Sequence, residues 1–301
     1  MSLVQDRRIL YFFEAVRLGS VRAAADTLNV APSAVSRHIT QLEQELNAPL
    51  MERHRRGVKP TEAGERVLNY YRQRLAQQEV LLDSLQSLRG LQSGSIALSV
   101  GEGFIEGLTT SLTQFSSLYP KIDLQVNVCA SNELIRQITE DESHIGLVFN
   151  PAVDPKIRVH VRRKHPLRVI VTKEHPLALG DGPVALKELD KHRLALPGVS
   201  FGIRQILALA EHQQGHSLIP TLTCNNIAML KRFAMQGGVT LLPAFVIEDE
   251  LKAGQLFALP IQHEVLSNPE AQLITRLGRQ LSVGANRLVT MLLQDMTAFR
   301  N

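Results

Sequence analysis

The periodicity of apolar residues changes once along this chain, and that change limits the architectures open to it. Up to about residue 93 they recur at spacings of three and four, the mark of amphipathic helices. After Gly94, short runs rich in β-branched residues alternate with helical stretches. A chain of 301 residues has room for two or three structural units. We therefore expect a helical N-terminal part, a flexible break at "RGLQSG" (Arg89 to Gly94), and an α/β part beyond it.

The helical part has internal punctuation. Residues 6–18 carry Ile9, Leu10, Phe12, Phe13 and Val16 on one face, and Gly19 ends that helix. Ser20 can cap a short alanine-rich helix over 21–28. Asn29 suits a left-handed turn, and Pro32 suits the first turn of the next helix, where its missing N–H costs nothing. That helix runs to about Leu46, with Val35, Ile39, Leu42 and Leu46 on its apolar face. Pro49, Gly57 and Pro60 then punctuate a basic segment, "RHRRGVK", that reads as a short β-wing. Thr61 can cap a long helix whose Leu68, Tyr71, Leu75, Gln78, Leu82 and Leu85 form an a/d seam. No second helix follows it directly, so the seam is expected to meet a second copy of itself in a homodimer.

Composition narrows the function classes. Hydrophobic residues are 44% and charged residues 21%, ordinary for a globular chain. No apolar run reaches the roughly 18 residues of a membrane span, so no membrane partner is expected. The start, "MSLVQDRRILYFFEAV", lacks the apolar core and cleavage site of a signal peptide. Cys129 and Cys224 stand alone with no CxxC spacing, which fits a reducing cytoplasm and no metal cluster. Residues 1–93 hold 13 Lys+Arg against 10 Asp+Glu, hence +3, while the remainder holds 20 against 19, hence +1. The excess charge therefore lies with the helical part.

A helix, a tight turn and a second helix followed by a basic wing is the layout of a groove reader. In a helix-turn-helix the second helix enters the major groove by its N-terminal residues. Away from the apolar face of that helix lie Ser33, Ser36, Arg37, Thr40 and Gln41. Arginine grips guanine O6 and N7 bidentately, while serine and glutamine read either base or phosphate. Alternatively, these are two scaffold helices with polar outer faces. The small alanines at 23–25, the short turn and the adjoining basic run favour DNA.

The segment "FFEAVRLGSVRAAADTLNVAPSAVSRHITQLEQELNAPLMERHRRGVKPTEAG" resembles the N-terminal winged helix-turn-helix of LysR-type transcriptional regulators. The resemblance continues through "YPKIDLQV", "IGLVF", "KEHPLA" and "GGVTLLP" in the family's order, and so spans essentially the whole chain. It implies a fold of the α/β class with an α-rich winged helix-turn-helix at 1–60, a long linker and dimerisation helix at 61–93, and an effector-binding domain at 94–301. That last domain is expected to be two-lobed and like a type II periplasmic binding protein. Lobe I would be about 94–162 and 268–301, and lobe II about 163–267. The implied DNA contacts are Pro32, Ser33, Ser36 and Arg37, with Gln41 beside them and Arg55, Arg56 and Lys59 in the wing. The implied partners are double-stranded promoter DNA, a homotetramer and RNA polymerase. The chain departs from the family in one place. Many members open the recognition helix with a hydroxyl residue and glutamine, where this chain has Ala31 and Pro32, so Ser33 and Arg37 should carry more of the readout.

The alternating units of the second part ("SIALSV", "IDLQVNVC", "HIGLVF", "LRVIVT", "RLALP", "VTLLP", "LFALP" and "AQLITR") indicate parallel sheets with helices on both faces. Two such lobes in series enclose a ligand cleft at the carboxyl ends of their strands. Four loops fit that position, and they supply Gly101, Glu102, Gly103, Phe104, Ser131, Asn132, Phe201, Arg204 and Asn226. Helix-start amides and these polar groups suit an anion, with Arg204 as the charge partner. A carboxylate-bearing or amino-acid-like metabolite is the expected effector, with no cofactor. Glu102 would repel an anion, so either the effector bears an amine or Glu102 points outward. Ser131 also reads as a plain helix cap.

Other chemistries are weaker. Gly101, Gly103 and Gly107 follow GxGxxxG, not the dinucleotide GxGxxG. In "HQQGH", His212 and His216 have metal-ligand spacing, but Gln213 stands where a zinc protease needs glutamate and Gly215 breaks the helix. No nucleophile elbow or Cys–His pair is present, so no catalytic residue is expected. The competing reading is a two-lobed enzyme or solute carrier fused to a basic helical domain.

Overall fold

The computed structural model describes residues 6–54, 57–88, 93–180 and 182–300. It divides into two compact units, Met1–Glu79 and Val80–Asn301.

The first unit contains α1 (Asp6–Arg17), α2 (Val21–Thr27), α3 (Pro32–Leu46), a hairpin of β1 (Met51–His54) and β2 (Gly57–Pro60), and the start of α4 (Glu62–Leu88). Ser20 Oγ accepts the Ala23 N–H at 3.3 Å and starts α2. Asn29 takes a left-handed φ of 52° in the turn, and Pro32 opens α3. Ala24 and Ala25 are wholly buried, so α2 crosses α3 at close range. Ile9, Phe12, Val35, Ile39, Leu42 and Leu50 fill the core between the helices. The expected apolar face of α3 stops short, since Leu46 is exposed in the last turn. The hairpin docks by a bond from the Val58 N–H to the Gly19 carbonyl at 3.0 Å. Gly57, with φ of +122°, packs there so closely that a Cβ would lie 2.5 Å from that oxygen, which is why glycine stands at this position.

Thr61 starts α4, accepting the Gly64 N–H at 3.0 Å and donating to the Pro49 carbonyl at 2.7 Å. The seam expected along this helix serves two ends. Leu68 and Tyr71 are buried in the core of the first unit, whereas Leu75, Leu82 and Leu85 are exposed. The boundary between units thus falls inside the helix, not at its end. Most of the expected break at 89–94 lies outside the described residues.

The second unit holds β3 (Gly94–Val100), α5 (Ile105–Leu118), β4 (Ile122–Val128), α6 (Ser131–Thr139), β5 (Ile145–Phe149) and β6 (Ile157–Lys164). There follow β7 (Leu167–Val171), β8 (Leu194–Leu196), α7 (Gly202–Gln214), β9 (Leu222–Thr223), α8 (Ile227–Met235) and β10 (Val239–Pro243). The chain closes with α9 (Glu248–Lys252), β11 (Phe257–Pro260), β12 (Glu270–Arg276) and α10 (Val283–Asp295). Two five-stranded sheets result, ordered β4-β3-β5-β12-β6 and β11-β7-β10-β8-β9. The sheets are mixed, which corrects the expectation of parallel ones. β3 pairs with β4 and β5 in parallel, but β12 runs antiparallel to both β5 and β6. In the second sheet β7 is antiparallel to β10 and β11. The strands that enter a lobe after a crossing need no helical return, so they pair antiparallel. The sequence reading also passed over β6. Its Ile157, Val159 and Val161 alternate with Arg158, His160 and Arg162 on a sheet edge, where one face is polar.

The chain crosses between the lobes at residues 165–166 and returns at 261–269. The two crossings are tied together, because the His165 N–H donates to the Pro269 carbonyl at 2.8 Å.

Candidate nucleic-acid interface and ligand cleft

On α3 the apolar residues Val35, Ile39 and Leu42 face the core, so helical geometry turns Pro32, Ser33, Arg37 and Thr40 to solvent. Ser36 and Gln41 are half-buried at the edge of that surface. Lys59 is exposed on β2, while Arg55 and Arg56 lie outside the described residues. His38, beside the Tyr11 ring at 5.0 Å, is held below the usual imidazole range by burial and then by Arg37, Arg8 and Arg7. The start of α3 has no side-chain cap, because Ala31 has no side-chain acceptor and Pro32 follows it. Pro32 has no N–H, and Ala34 and Val35 donate to the Ala31 carbonyl at 2.9 and 3.4 Å, so the Ser33 amide is the one left at the helix start, where the dipole favours a phosphate oxygen.

The second site lies between the two sheets, at the carboxyl ends of their strands. From the first lobe come the loop Gly101–Phe104 after β3, Cys129 and Ser131 after β4, and Phe149 ending β5. From the second lobe come Phe201, Gly202 and Ile203 at the start of α7, Ile227 at the start of α8, and Pro243, Phe245 and Val246 after β10. The starts of α6, α7 and α8 therefore converge on one apolar cleft. Its free volume is about 30 Å³, room for roughly one water molecule, so the lobes are closed on each other.

Specific contacts hold them closed. Asn226 Nδ2 donates to Glu102 Oε1 at 2.8 Å across the cleft, and the Ile227 N–H also bonds Glu102. Burial pushes the Glu102 carboxyl up, opposed by the Ile227 amide. Lys231 on α8, itself buried, donates to Glu106 Oε1 of the first lobe at 2.6 Å and lies 2.6 Å from Glu250. Gly202 sits so close to the end of β5 that a Cβ would lie 2.0 Å from the Phe149 carbonyl oxygen. Phe245 forms the back wall, its ring 5.3 Å from Phe104, 6.1 Å from Phe149 and 4.7 Å from His165.

Of the residues expected here, Gly101, Glu102, Gly103, Phe104, Ser131 and Phe201 line the cleft. Three others are placed differently. The Arg204 guanidinium turns along its own helix to Glu211 Oε2 at 2.8 Å. Glu211 is nearly buried and also accepts the Leu218 N–H, and a buried carboxylate needs such a counter-charge. Asn132 faces Gln205 at 3.5 Å and lines a separate depression with Pro151–Asp154. Asn226 caps α8 through Met229 N at 2.8 Å and meets the cleft only through Glu102. Glu102 does not point outward as one expectation had it; it reaches across to the other lobe.

Cys129, Gly202, Ile203 and Ile227 lie in the loops that the sequence placed at the cleft without being singled out there, and Phe149, Pro243, Phe245 and Val246 were missed. Phe149 and Pro243 end strands that were recognised, and that position was the available signal. Burial pushes the Cys129 thiol up to about 11, which favours the protonated thiol. His212 and His216 do not share a helix face: Gly215, with φ of +61°, ends α7 between them, and His216 sits 2.6 Å from Asp190.

Comparison with known proteins covers both units. A family model described as "Bacterial regulatory helix-turn-helix protein, lysR family" matches residues 7–65, and one described as "LysR substrate binding domain" matches 89–297. The chain is 26% identical to the RuBisCO operon transcriptional regulator of Allochromatium vinosum over 96% of this chain and 95% of that protein. Among solved structures, a cysteine-to-aspartate variant of full-length OxyR from Pseudomonas aeruginosa aligns with a TM-score of 0.66 at 16% identity, over 98% of this chain and 94% of the other. Full-length CbnR complexed with its target DNA aligns with a TM-score of 0.52 at 20% identity, over 97% of this chain and 100% of the other.

Proposed function

From the premise that this chain belongs to the LysR family of bacterial transcriptional regulators, we propose how it reads DNA and what it senses. α3 enters the major groove, with Ser33, Ser36 and Arg37 on base edges and Lys59 on phosphate, as the family's helix-turn-helix and the DNA complex of CbnR support. Two copies joined through the exposed leucines of α4 present two such helices to two half-sites. Dimers pair further into a tetramer, and RNA polymerase is the downstream partner. The chain is a regulator, not an enzyme, as are its named relatives. No helix among the described residues is long and apolar enough to cross a membrane.

The effector is a small molecule with a carboxylate on an apolar body, held between the lobes. One observation carries this reading: Glu102 rests its own carboxylate on Asn226 Nδ2 and the Ile227 amide at the start of α8. That is the place an incoming carboxylate would take, and the Phe104, Phe201 and Phe245 side chains would cover the apolar body. An effector that displaces Glu102 releases one tie between the lobes and so shifts the population of lobe arrangements. The test is a calorimetric screen of small mono- and dicarboxylates against the parent chain and Glu102→Ala. A carboxylate should bind both, and more tightly to the variant, where neither competition nor like-charge repulsion remains. Failure of every carboxylate to bind either protein would sink the anionic reading.

A further inference from the structure

A cavity larger than the cleft lies behind it. It is about 350 Å³, against the roughly 30 Å³ left in the cleft, and falls within the range of small-ligand pockets. Its floor is the inner face of α5, its far side α9, and its rim the segment after α10. Three of its features bear on what it holds. Ser111, on α5, is 1% exposed, and its Oγ has no hydrogen-bond partner among the described residues. A buried hydroxyl left so costs about 1–3 kcal/mol until something bonds it. Glu106, Glu248, Asp249 and Asp295 line the cavity against Lys252 and Arg300, and four negative charges less two positive leave −2. Phe104, Phe245 and Met296 provide an apolar wall.

We infer that this cavity is a second ligand site and that it takes a small organic cation, an alkyl amine or diamine. The ammonium bonds the carboxylate of Asp249, the alkyl stem lies on the aromatic wall, and a second donor satisfies Ser111. Glu106 and Glu248 are engaged with Lys231 and Lys252 at 2.6 and 2.7 Å, while Asp295 lies 3.8 Å from Arg300, beyond hydrogen-bond range. Asp249 and Asp295 are thus the carboxylates that face the ligand. Gly103, Phe104 and Phe245 line both this cavity and the cleft. An amine bound here therefore changes affinity in the cleft, and the coupling is reciprocal.

Isothermal titration of the full-length protein with putrescine tests the site, with succinate as the anionic counterpart and Ser131→Val as a cleft control. The parent and Ser131→Val should bind putrescine saturably with the same affinity. Asp249→Asn, which keeps shape and removes charge, should weaken binding about tenfold, the worth of one charge-assisted hydrogen bond. Ser111→Ala should weaken it by a smaller factor. Any succinate binding should be indifferent to Asp249→Asn. Absence of saturable putrescine binding overturns the proposal. So does putrescine binding that neither variant weakens, or that Ser131→Val abolishes, since the amine would then sit elsewhere.

Discussion

Arg37 and Lys59 are both exposed cations of the first unit, but they are expected to act differently. Arg37 has the fork that reads guanine, so Arg37→Ala should reduce discrimination between operator and scrambled DNA by about 1–3 kcal/mol. Lys59 can meet phosphate alone, so Lys59→Ala should weaken every sequence alike and lower the salt slope by about one. Equal losses of specificity in titrations at several salt concentrations would refute that division of roles. A third residue, His144, is felt in stability. It is kept neutral by burial and then by Arg279, and its imidazole is held down to about 4, with Nδ1 accepting the Ala97 N–H at 3.3 Å. The unfolded chain takes up that proton near pH 6.5. Stability is therefore intact above pH 6.5 and is lost as pH falls from there toward 4. Urea unfolding at about pH 4.5 should show a loss on the order of 2 kcal/mol relative to about pH 7.5, which His144→Gln should diminish. These single-residue roles were partly legible in the sequence. Arg37 followed from helical spacing alone, whereas nothing in "ESHIG" foretells that a histidine will be buried beside an arginine 135 positions on.

At the scale of the element, α4 shows one pattern put to two uses. Leu68 is 1% exposed and Leu82 53%, though both belong to the same seam. Leu68→Ala should cost the first unit about 2–5 kcal/mol, as a core truncation does, and leave oligomer size unchanged. Leu82→Lys with Leu85→Lys should leave the unfolding midpoint of the monomer alone and dissociate the dimer, as light scattering would read. A dimer that survives the double substitution removes the α4 seam as its interface. Periodicity showed where the stripe lies on the helix, and it contains no information on which part a neighbouring domain covers. The same limit explains β6, whose alternating residues were visible but were not assigned to a strand.

The whole molecule adds what no element holds. Glu102–Asn226 and Glu106–Lys231 each join residues more than 120 positions apart, and both ties close the lobes. Gly202 packs directly against the end of β5 in the other lobe. An added methyl there would meet the Phe149 carbonyl oxygen at 2.0 Å, so Gly202→Ala should hold the lobes apart. Small-angle scattering should then show a larger radius of gyration, and an unchanged one would mean the lobes adjust in place. The sequence by itself determined the helix-turn-helix, the caps at Ser20 and Thr61, the change from helices to α/β units, and the loops that border the cleft. Those depend on contacts within a few residues, where spacing and capping chemistry decide. Only the tertiary structure decided that Arg204 turns to Glu211, that Glu102 takes the start of α8, that the sheets are mixed, and that the larger cavity lies behind the cleft. Each of these lies beyond what local spacing decides: which of several partners a side chain meets, which strands pair, and how the two lobes close.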